Sequence, residues 1–294
     1  MQKNFPIIFL LGPTASGKSD AAIALAKKLN GIVINADSRH VYLGLNSGSG
    51  KITKQEQKTV PHFLIDVASP LRDFSAGKWL KEVRRIISRC QKNSTPIIVS
   101  GGTLFYIRAL LAGWEFPNVK PDYAFRKKLE KLSREALYQK IQKYDPNRAQ
   151  NLDPHNKKRL IRALEIIDSL GKVPATGGIP LKNALVFSLD IPIVKLEKKI
   201  HLRLHKRVPA ILREIKQLRK KVSAKRLIAF GLEYEWFTKY NEKIISKQEA
   251  IENCKRDIIR FAKRQIREIK KIPDVTFIKN SKQTLSILRT KKIK

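Results

Sequence analysis

The chain has 294 residues, and 61 lysines and arginines against 25 aspartates and glutamates give it a formal net charge of +36. Its two cysteines, Cys90 and Cys254, lie far apart, which excludes a disulfide framework and favours a reducing, cytoplasmic setting. No apolar run approaches the roughly 18 residues that a membrane span requires, so no membrane association is expected.

The positive charge is concentrated toward the end of the chain. Residues 181–294 carry +20 of the +36, while residues 1–116 carry +9 and residues 117–180 carry +7. Such an excess is typical of proteins that bind a polyanion, most simply nucleic acid. A lysine-rich coding bias is the alternative explanation, because net charge alone is a weak functional argument.

The first 116 residues alternate apolar runs with helical patterns. Strands are predicted over Pro6–Leu11, Gly31–Ala36, His62–Val67 and Pro96–Ser100, and helices over Lys18–Leu29, Ser75–Asn93 and Thr103–Leu111. Strands that alternate with helices predict an α/β fold, a parallel sheet with flanking helices. Ligands of such sheets bind at the carboxyl ends of the strands.

The pattern changes in residues 117–180, which read as charged helices with turns at Asp145-Pro146 and Asp153-Pro154. This segment is predicted to be an all-helical insertion domain. Residues 181–294 then complete the core, with a strand over Ala184–Ile191 and basic helices near Lys195–Lys221 and Lys247–Lys271. The basic tail Ser281–Lys294 is expected to be mobile.

The segment GPTASGKS matches the phosphate-loop pattern G-x-x-x-x-G-K-[ST] between a predicted strand and a predicted helix. In this pattern the backbone N–H groups of Gly12, Thr14, Ala15, Ser16 and Gly17 point into one concavity. Lys18 pairs with phosphate oxygens and the Ser19 hydroxyl can bind Mg²⁺. The motif predicts a diphosphate or triphosphate ligand with Mg²⁺ as cofactor.

Two polar residues follow other strands of the predicted sheet. Asp37 comes directly after Gly31–Ala36, where a carboxylate can act as a general base, hold a metal-bound water, cap a helix or form a salt bridge in the loop. Thr103 follows Gly101-Gly102, where the glycines permit close backbone approach to a ligand and the hydroxyl can cap the next helix. The residues alone leave these alternatives open.

The order of several segments resembles that of the tRNA dimethylallyltransferases, also called tRNA isopentenyltransferases. The segments are GPTASGKS, INADSRHVYLGL, VPHFLIDVASPLRDFSAGKW, PIIVSGGTLFYIRALLAG, DPHNKKRLIRALEI and RFAKRQIREIK. The resemblance implies transfer of a dimethylallyl group from dimethylallyl diphosphate to N6 of the adenosine 3′-adjacent to the anticodon in tRNA, with release of diphosphate. It implies tRNA and dimethylallyl diphosphate as partners, and a monomer is expected.

The resemblance also implies roles for individual residues. The phosphate loop would hold the leaving diphosphate, Thr14 would line the donor channel, Asp37 would accept the N6 proton, and Thr103 would position the reacting groups. Arg207 is favoured over Arg203 as the arginine that reaches the phosphates. The residues implied to contact tRNA are Arg39, His40, Arg159, Arg162, Lys263 and Arg264.

Some positions depart from the family pattern. Arg39-His40 and Ser47–Ile52 replace the usual residues near the target adenosine, and Leu104 stands where a glycine is common. Lys18, Ser19 and Asp37 are all present, so an active transferase is predicted. The alternatives are a phosphate-loop kinase or nucleotide prenyltransferase acting on a small substrate, and a non-catalytic RNA-binding protein with a relic site.

Overall fold

A computed structural model of the chain describes residues 5–175 and 177–290. It divides the chain into two compact units. The core unit comprises Met1–Ala112 and Pro180–Lys294, and the helical unit comprises Gly113–Ile179. The helical unit starts four residues earlier than the predicted insertion, because the chain leaves the core directly after Ala112. It ends one residue earlier than predicted.

The core unit is built on a parallel sheet whose six strands have the order β3-β2-β4-β1-β5-β6. The strands are β1 Ile7–Leu11, β2 Ile32–Asn35, β3 His62–Phe63, β4 Ile97–Ser100, β5 Ala184–Leu189 and β6 Thr276–Ile278. Every residue of β1, β2 and β4 is buried, which explains why these strands read as continuous apolar runs. The α/β prediction is confirmed.

Helices cover the sheet and connect its strands. In the core unit they are α1 Lys18–Leu29, α2 Lys54–Gln57, α3 Ala76–Lys92, α4 Leu104–Leu111, α9 Ile193–Leu218, α10 Ala224–Ile228, α11 Leu232–Asn241, α12 Lys247–Ile269 and α13 Ser281–Thr290. Leu25 and Ala26 of α1 pack with Leu10 of β1 and Phe187 of β5 in an apolar cluster of the core unit. This packing fixes the start of α1 at the carboxyl edge of the sheet.

The helical unit contains α5 Tyr123–Leu129, α6 Arg134–Tyr144, α7 Pro146–Gln150 and α8 Lys157–Leu170. The side chains of Asp122, Ser133, Asp145 and Asn156 cap the four helices by accepting backbone N–H groups. Leu137, Ile141, Leu160 and Leu164 belong to a separate apolar cluster. The described part of this unit therefore has its own core.

Two expectations differ from the structure. The strand expected over His62–Val67 is reduced to His62–Phe63, because Leu64 and Asp66 have φ angles of 61° and 55° that an extended strand does not allow. The mobile tail is wrong for Ser281–Thr290, which forms α13 and buries Leu288 beside α1. Residues 291–294 of that predicted tail lie outside the described residues.

Candidate active site

The phosphate loop leaves the carboxyl end of β1 and enters α1 at Lys18. Ala15 and Gly17 have φ angles of 62° and 85°, and the N–H of Ser16 donates to the carbonyl of Pro13 at 3.2 Å. Successive residues with alternating backbone handedness turn their N–H groups toward one concavity. The loop thus has the geometry that an anion requires.

The hydroxyl of Ser16 shows what this loop is suited to hold. Its oxygen is buried and has no hydrogen-bond partner among the described atoms, although buried hydroxyls are normally paired. A phosphate oxygen in the concavity would satisfy it. Ser19 follows in the first turn of α1, and the described residues contain no cluster of three acidic, histidine or cysteine side chains for a metal. One hydroxyl together with phosphate oxygens and water is a usual ligand set for Mg²⁺.

Lys18 is buried in the site, and its ammonium group loses its proton more readily than that of a free lysine. Burial lowers the pKa of Lys18 to about 8, with a smaller lowering from the positive charge of Arg203, while the carboxylate of Asp37 opposes both. Its Nζ atom is 3.4 Å from the carbonyl oxygen of Pro13. A bound anion would restore the charged form, so Lys18 is adapted to a negatively charged ligand.

Asp37 is positioned by the turn that follows β2. The side-chain oxygen of buried Asn35 accepts the N–H of Asp37 at 3.2 Å, and Asp37 Oδ1 accepts the N–H of Arg39 at 2.9 Å. Neither contact caps a helix, so the capping alternative does not apply. The other oxygen, Oδ2, lies toward Gly102, since a β-carbon built on Gly102 would be 3.3 Å from it.

The surroundings of Asp37 keep its carboxylate ionised. Burial alone would raise the pKa of Asp37, but the charges of His40, Arg39 and Lys18 and the N–H of Arg39 outweigh burial and lower it. Burial also lowers the pKa of His40, while the carboxylate of Asp37 opposes that shift. Asp37 can therefore accept a proton.

The turn after β4 brings Thr103 next to Asp37. The Oγ1 atom of Thr103 accepts the N–H of Ser38 at 2.8 Å, while its own N–H donates to the carbonyl of Ala36 at 3.0 Å. The Thr103 side chain makes no capping bond to α4. Gly101 approaches backbone rather than ligand, because a β-carbon there would meet the Ala36 carbonyl oxygen at 2.2 Å.

Arg203, rather than the favoured Arg207, contacts the phosphate loop. Arg203 donates from Nη2 to Thr14 Oγ1 at 2.9 Å. Arg207, one turn later on α9, faces Gly50 and lies 3.9 Å from Glu233. The structure thus places Arg203 at the loop, because the axial position of α9 brings residue 203 rather than residue 207 next to Thr14, and which arginine reaches the phosphates stays a prediction.

Exchanging these two arginines for alanine separates their roles. We expect Arg203→Ala to reduce the rate of a reaction with a diphosphate leaving group about 10²-fold, because it removes a preorganised cation next to the loop. Arg203→Ala should also weaken the binding of inorganic pyrophosphate more than Arg207→Ala does. Calorimetric titration of both variants with pyrophosphate checks the affinities, and a greater loss of affinity in Arg207→Ala would favour Arg207 as the arginine that reaches the phosphates.

Arg39 and His40 lie beside Asp37 but bind groups of the protein. Arg39 donates from Nε and Nη2 to the carbonyl of Phe230 at 2.8 and 2.5 Å, which ties the turn to the segment before α11. His40 Nε2 is 3.2 Å from the carbonyl oxygen of Ser49, so this nitrogen carries the proton and donates it. Their predicted contacts with tRNA stay predictions.

Helix α12 carries the predicted contact residues Lys263 and Arg264, both exposed. Lys263 is 2.9 Å from Glu197. Arg264 lines an open cleft with Arg39, Arg260 and Arg267, which we call the basic cleft.

Gln265 is a further site residue, to which the sequence assigns no role beyond its place in the segment RFAKRQIREIK. It is 3% exposed and bonds to both Thr14 and Gly102. The helical spacing places Gln265 between Ala262 and Ile269 on the apolar face of α12. A polar side chain on an apolar face indicates a buried residue that needs hydrogen-bond partners.

Arg159 and Arg162 belong to the helical unit. Arg159 is exposed on α8. Arg162 is engaged inside the unit, since it donates to the carbonyl of Val119 at 2.8 Å and to buried Glu165 at 3.3 Å. Arg126 also binds Glu165 through two contacts of 2.7 Å. The structure therefore gives Arg162 a role in packing and leaves Arg159 accessible.

Two cavities of the core unit meet at the phosphate loop. The apolar cavity is lined mainly by Ala22, Val33, Ile52 and Ile65. The polar cavity is lined by Thr14, Asp37, Arg203 and Gln265, among others. Lys18, Ser19 and His40 line both cavities. The arrangement can hold a molecule with a charged head and a short apolar tail and bring a second reactant to it from the polar side.

The sequence of this chain is similar to that of known transferases. Residues 40–271 match the family described as IPP transferase. A tRNA dimethylallyltransferase from Pelotomaculum thermopropionicum is 33% identical over 288 residues, covering 94% of this chain and 91% of that protein. A tRNA dimethylallyltransferase from Carboxydothermus hydrogenoformans is also 33% identical, over 296 residues, covering 97% of this chain and 95% of that protein.

The fold is similar to solved structures as well. The full-length tRNA isopentenylpyrophosphate transferase from Bacillus halodurans superposes with a TM-score of 0.70 at 29% identity, covering 98% of this chain and 95% of that chain. A eukaryotic dimethylallyltransferase acting on tRNA superposes with a TM-score of 0.80 at 25% identity, covering 98% and 79% of the two chains.

Proposed function

This chain belongs to the IPP transferase family, and on that premise we propose that it transfers a dimethylallyl group from dimethylallyl diphosphate to N6 of the adenosine 3′-adjacent to the anticodon in tRNA. The relatives are named for prenyl transfer to tRNA, and this chain is an enzyme of that class. The observation that carries the finer proposal is the meeting of the apolar and polar cavities at Lys18, Ser19 and His40.

Support for the donor comes from the apolar cavity. A five-carbon prenyl group is apolar and small, and the side chains of Ala22, Val33, Ile52 and Ile65 surround a space next to the phosphate loop. The diphosphate would occupy the loop and bond to the unpaired Ser16 hydroxyl. Asn35, His62 and Ser100 also line this cavity, but each is already bonded to a backbone carbonyl, so the cavity suits an apolar prenyl group better than the sugar and base of ATP.

The chemistry follows from the residues where the two cavities meet. The N6 lone pair attacks C1 of the donor, the C1–oxygen bond breaks, and diphosphate leaves with the bonding electrons. The N6 proton passes to the carboxylate of Asp37, which is ionised because its surroundings lower its pKa below the ordinary value. Thr103 keeps the Asp37 turn in place through its bond to the N–H of Ser38.

Charge that develops on the leaving group is met by preorganised donors. Lys18, Arg203 and the N–H groups at the start of α1 lie at the phosphate loop. Mg²⁺, held by the Ser19 hydroxyl and the phosphates, would supply further neutralisation of the diphosphate. Stabilising the leaving group is the largest contribution available here, because separation of charge dominates this reaction.

We propose that exposed residues of both units contact the RNA. In the core unit the basic cleft presents Arg260, Arg264 and Arg267 to solvent. In the helical unit, the predicted clamp for the anticodon loop, the exposed rings of Tyr123 and Tyr144 lie under the cations of Arg126 and Lys143. Aromatic rings beside cations are suited to unpaired bases and their phosphates.

The affinity for tRNA should fall steeply with salt. Phosphate contacts release counterions, so log K for tRNA falls as log salt concentration rises. Arg159→Gln removes an exposed cation and should make this slope less negative by about 0.7 to 0.9. The matched variant Arg162→Gln should mainly lower the stability of the helical unit, because buried Glu165 loses a partner. Filter binding over a salt series checks the first statement, and salt-independent binding would contradict it.

The reaction itself is tested with an anticodon stem-loop RNA, Mg²⁺ and dimethylallyl diphosphate, with ATP in a parallel sample. A mass gain of one five-carbon unit on the adenosine next to the anticodon supports the proposal. Phosphate transfer or release from ATP without prenyl gain would favour the kinase, and RNA binding without any turnover would favour the relic site.

The cysteines and the composition of the site bear on where the protein is located and on whether it is a monomer. Among the described residues no helix is long and apolar enough to cross a membrane, and Cys90 and Cys254 are buried free thiols. The thiols fit a reducing compartment, and we propose the cytoplasm. All groups that the proposed reaction uses belong to one chain, so we propose a monomer, which sedimentation of the active enzyme can test.

A further inference from the structure

Helix α12 reaches the phosphate loop through one buried side chain. Gln265 Oε1 accepts the N–H of Thr14 at 2.8 Å, and Gln265 Nε2 donates to the carbonyl of Gly102 at 2.9 Å. A backbone N–H can only donate and a carbonyl can only accept, so these two partners fix the orientation of the amide. Gln265 therefore joins the loop after β1 to the turn after β4.

Thr14 is held from two distant parts of the chain. Gln265 binds its backbone N–H, and Arg203 of α9 binds its hydroxyl at 2.9 Å. Because its N–H is already used, Thr14 does not offer it to a phosphate, and the anion must rely on the later residues of the loop. The position of Thr14 thus depends on α9 and α12 more than on the ligand.

The other end of the Gln265 amide lies among the groups proposed for the reaction. A β-carbon built on Gly102 would be 2.8 Å from Gln265 Nε2, 3.3 Å from Asp37 Oδ2 and 4.0 Å from Lys18 Nζ. These three atoms converge on one point beside the Gly102 turn. A change in the span between Thr14 and Gly102 would alter the distance between the phosphates on Lys18 and the carboxylate of Asp37.

We propose that Gln265 is a positioning residue that sets the separation between the phosphate loop and the Gly102 turn. The inference rests on the proposed function in that the loop must hold a diphosphate, but it does not depend on which group is transferred. Its neighbours Lys263 and Arg264 are exposed on the other side of α12. The helix that presents cations to solvent therefore also holds the phosphate loop.

Length and hydrogen bonding can be tested separately. Gln265→Met keeps the length and loses both hydrogen bonds, while Gln265→Asn keeps the amide but is one methylene too short to span both partners. We expect both variants to raise the Kd for Mg²⁺-pyrophosphate about tenfold and to raise the KM for the prenyl donor similarly. The Kd for tRNA should stay unchanged, since the RNA-facing side of α12 is intact.

A residue that only stabilises the fold would behave differently. Partial unfolding reduces the fraction of active enzyme and hence kcat, but it leaves the Kd of the folded fraction unchanged. Gln248→Met, on the exposed first turn of the same helix, is the matched control and should bind pyrophosphate like the wild type. The experiment is calorimetric titration of the full chain with Mg²⁺-pyrophosphate.

Wild-type pyrophosphate affinity in Gln265→Asn and in any folded Gln265→Met would overturn the inference. The failure of the proposed function would look different. A wild-type protein that binds pyrophosphate but transfers no prenyl group refutes the prenyl transfer, whereas the ratio of pyrophosphate affinities between wild type and Gln265→Asn still tests the role of Gln265.

Discussion

Replacing Asp37 by asparagine should reduce the turnover number for prenyl transfer by about 10²- to 10⁴-fold, the usual contribution of a positioned general base. Asparagine has the same shape and can still accept the N–H of Arg39, which Asp37 Oδ1 does at 2.9 Å. It cannot take the N6 proton, and it removes the negative charge beside Lys18. Single-turnover measurements with saturating tRNA would isolate this step from binding.

The pH dependence adds an independent check on Asp37. Burial would raise its pKa, but His40, Arg39 and Lys18 lower it below the ordinary value of 3.8, so the carboxylate stays ionised through the neutral range. The rate should then show no loss attributable to Asp37 between about pH 5 and 8. Unchanged tRNA affinity in Asp37→Asn serves as the control. A variant with near-normal turnover would exclude Asp37 as the base.

Removing the charge of Lys18 should be comparably severe. Lys18→Met keeps most of the volume and loses the ammonium group that we propose binds the leaving diphosphate, so kcat should fall about 10²- to 10³-fold, as when a preorganised electrostatic group is lost. The affinity for Mg²⁺-pyrophosphate should fall as well, because the same cation binds the ground state. Rapid-quench kinetics and calorimetry measure the two effects separately.

Proton linkage at Lys18 makes this prediction specific. Burial lowers its pKa to about 8 in the free protein, and a bound diphosphate favours the charged form. Below that pH the ligand meets a charged lysine; above it, binding must also take up a proton, so the wild-type Kd should rise about tenfold per pH unit. Lys18→Met lacks this dependence and corrects for the titration of pyrophosphate itself. Parallel pH profiles in the two proteins would contradict a titrating Lys18.

Much of the site was predictable because its first components are local. The phosphate loop needs glycine at position 17, where φ is 85°, together with an apolar strand before it and a helix after it, and all three are visible within about 25 neighbouring residues of the sequence. Asp37 and Thr103 were predicted to face the ligand for a similar reason. They follow buried strands, and parallel strands bring their carboxyl ends to one edge.

Local sequence patterns do not determine which arginine of α9 contacts the phosphate loop. Arg203 and Arg207 lie one turn apart and have the same chemistry, so the sequence contains no information on which of them meets Thr14. Helix packing determines the axial position of α9, and a shift of one turn, about 5.4 Å, would exchange the two residues. The structure places Arg203 at the loop.

By itself, then, the sequence determined the α/β architecture, the phosphate loop, the acid after β2 and the family, since each depends on residue order and short-range periodicity. Tertiary structure alone decided that Arg203 contacts the loop, that Arg162 binds Glu165, that Ser281–Thr290 is a packed helix, and that Gln265 spans Thr14 and Gly102. The Gln265–Thr14 contact joins residues 251 positions apart. Such a contact exists only after the helices have packed, because packing sets which face of each helix is turned toward the sheet.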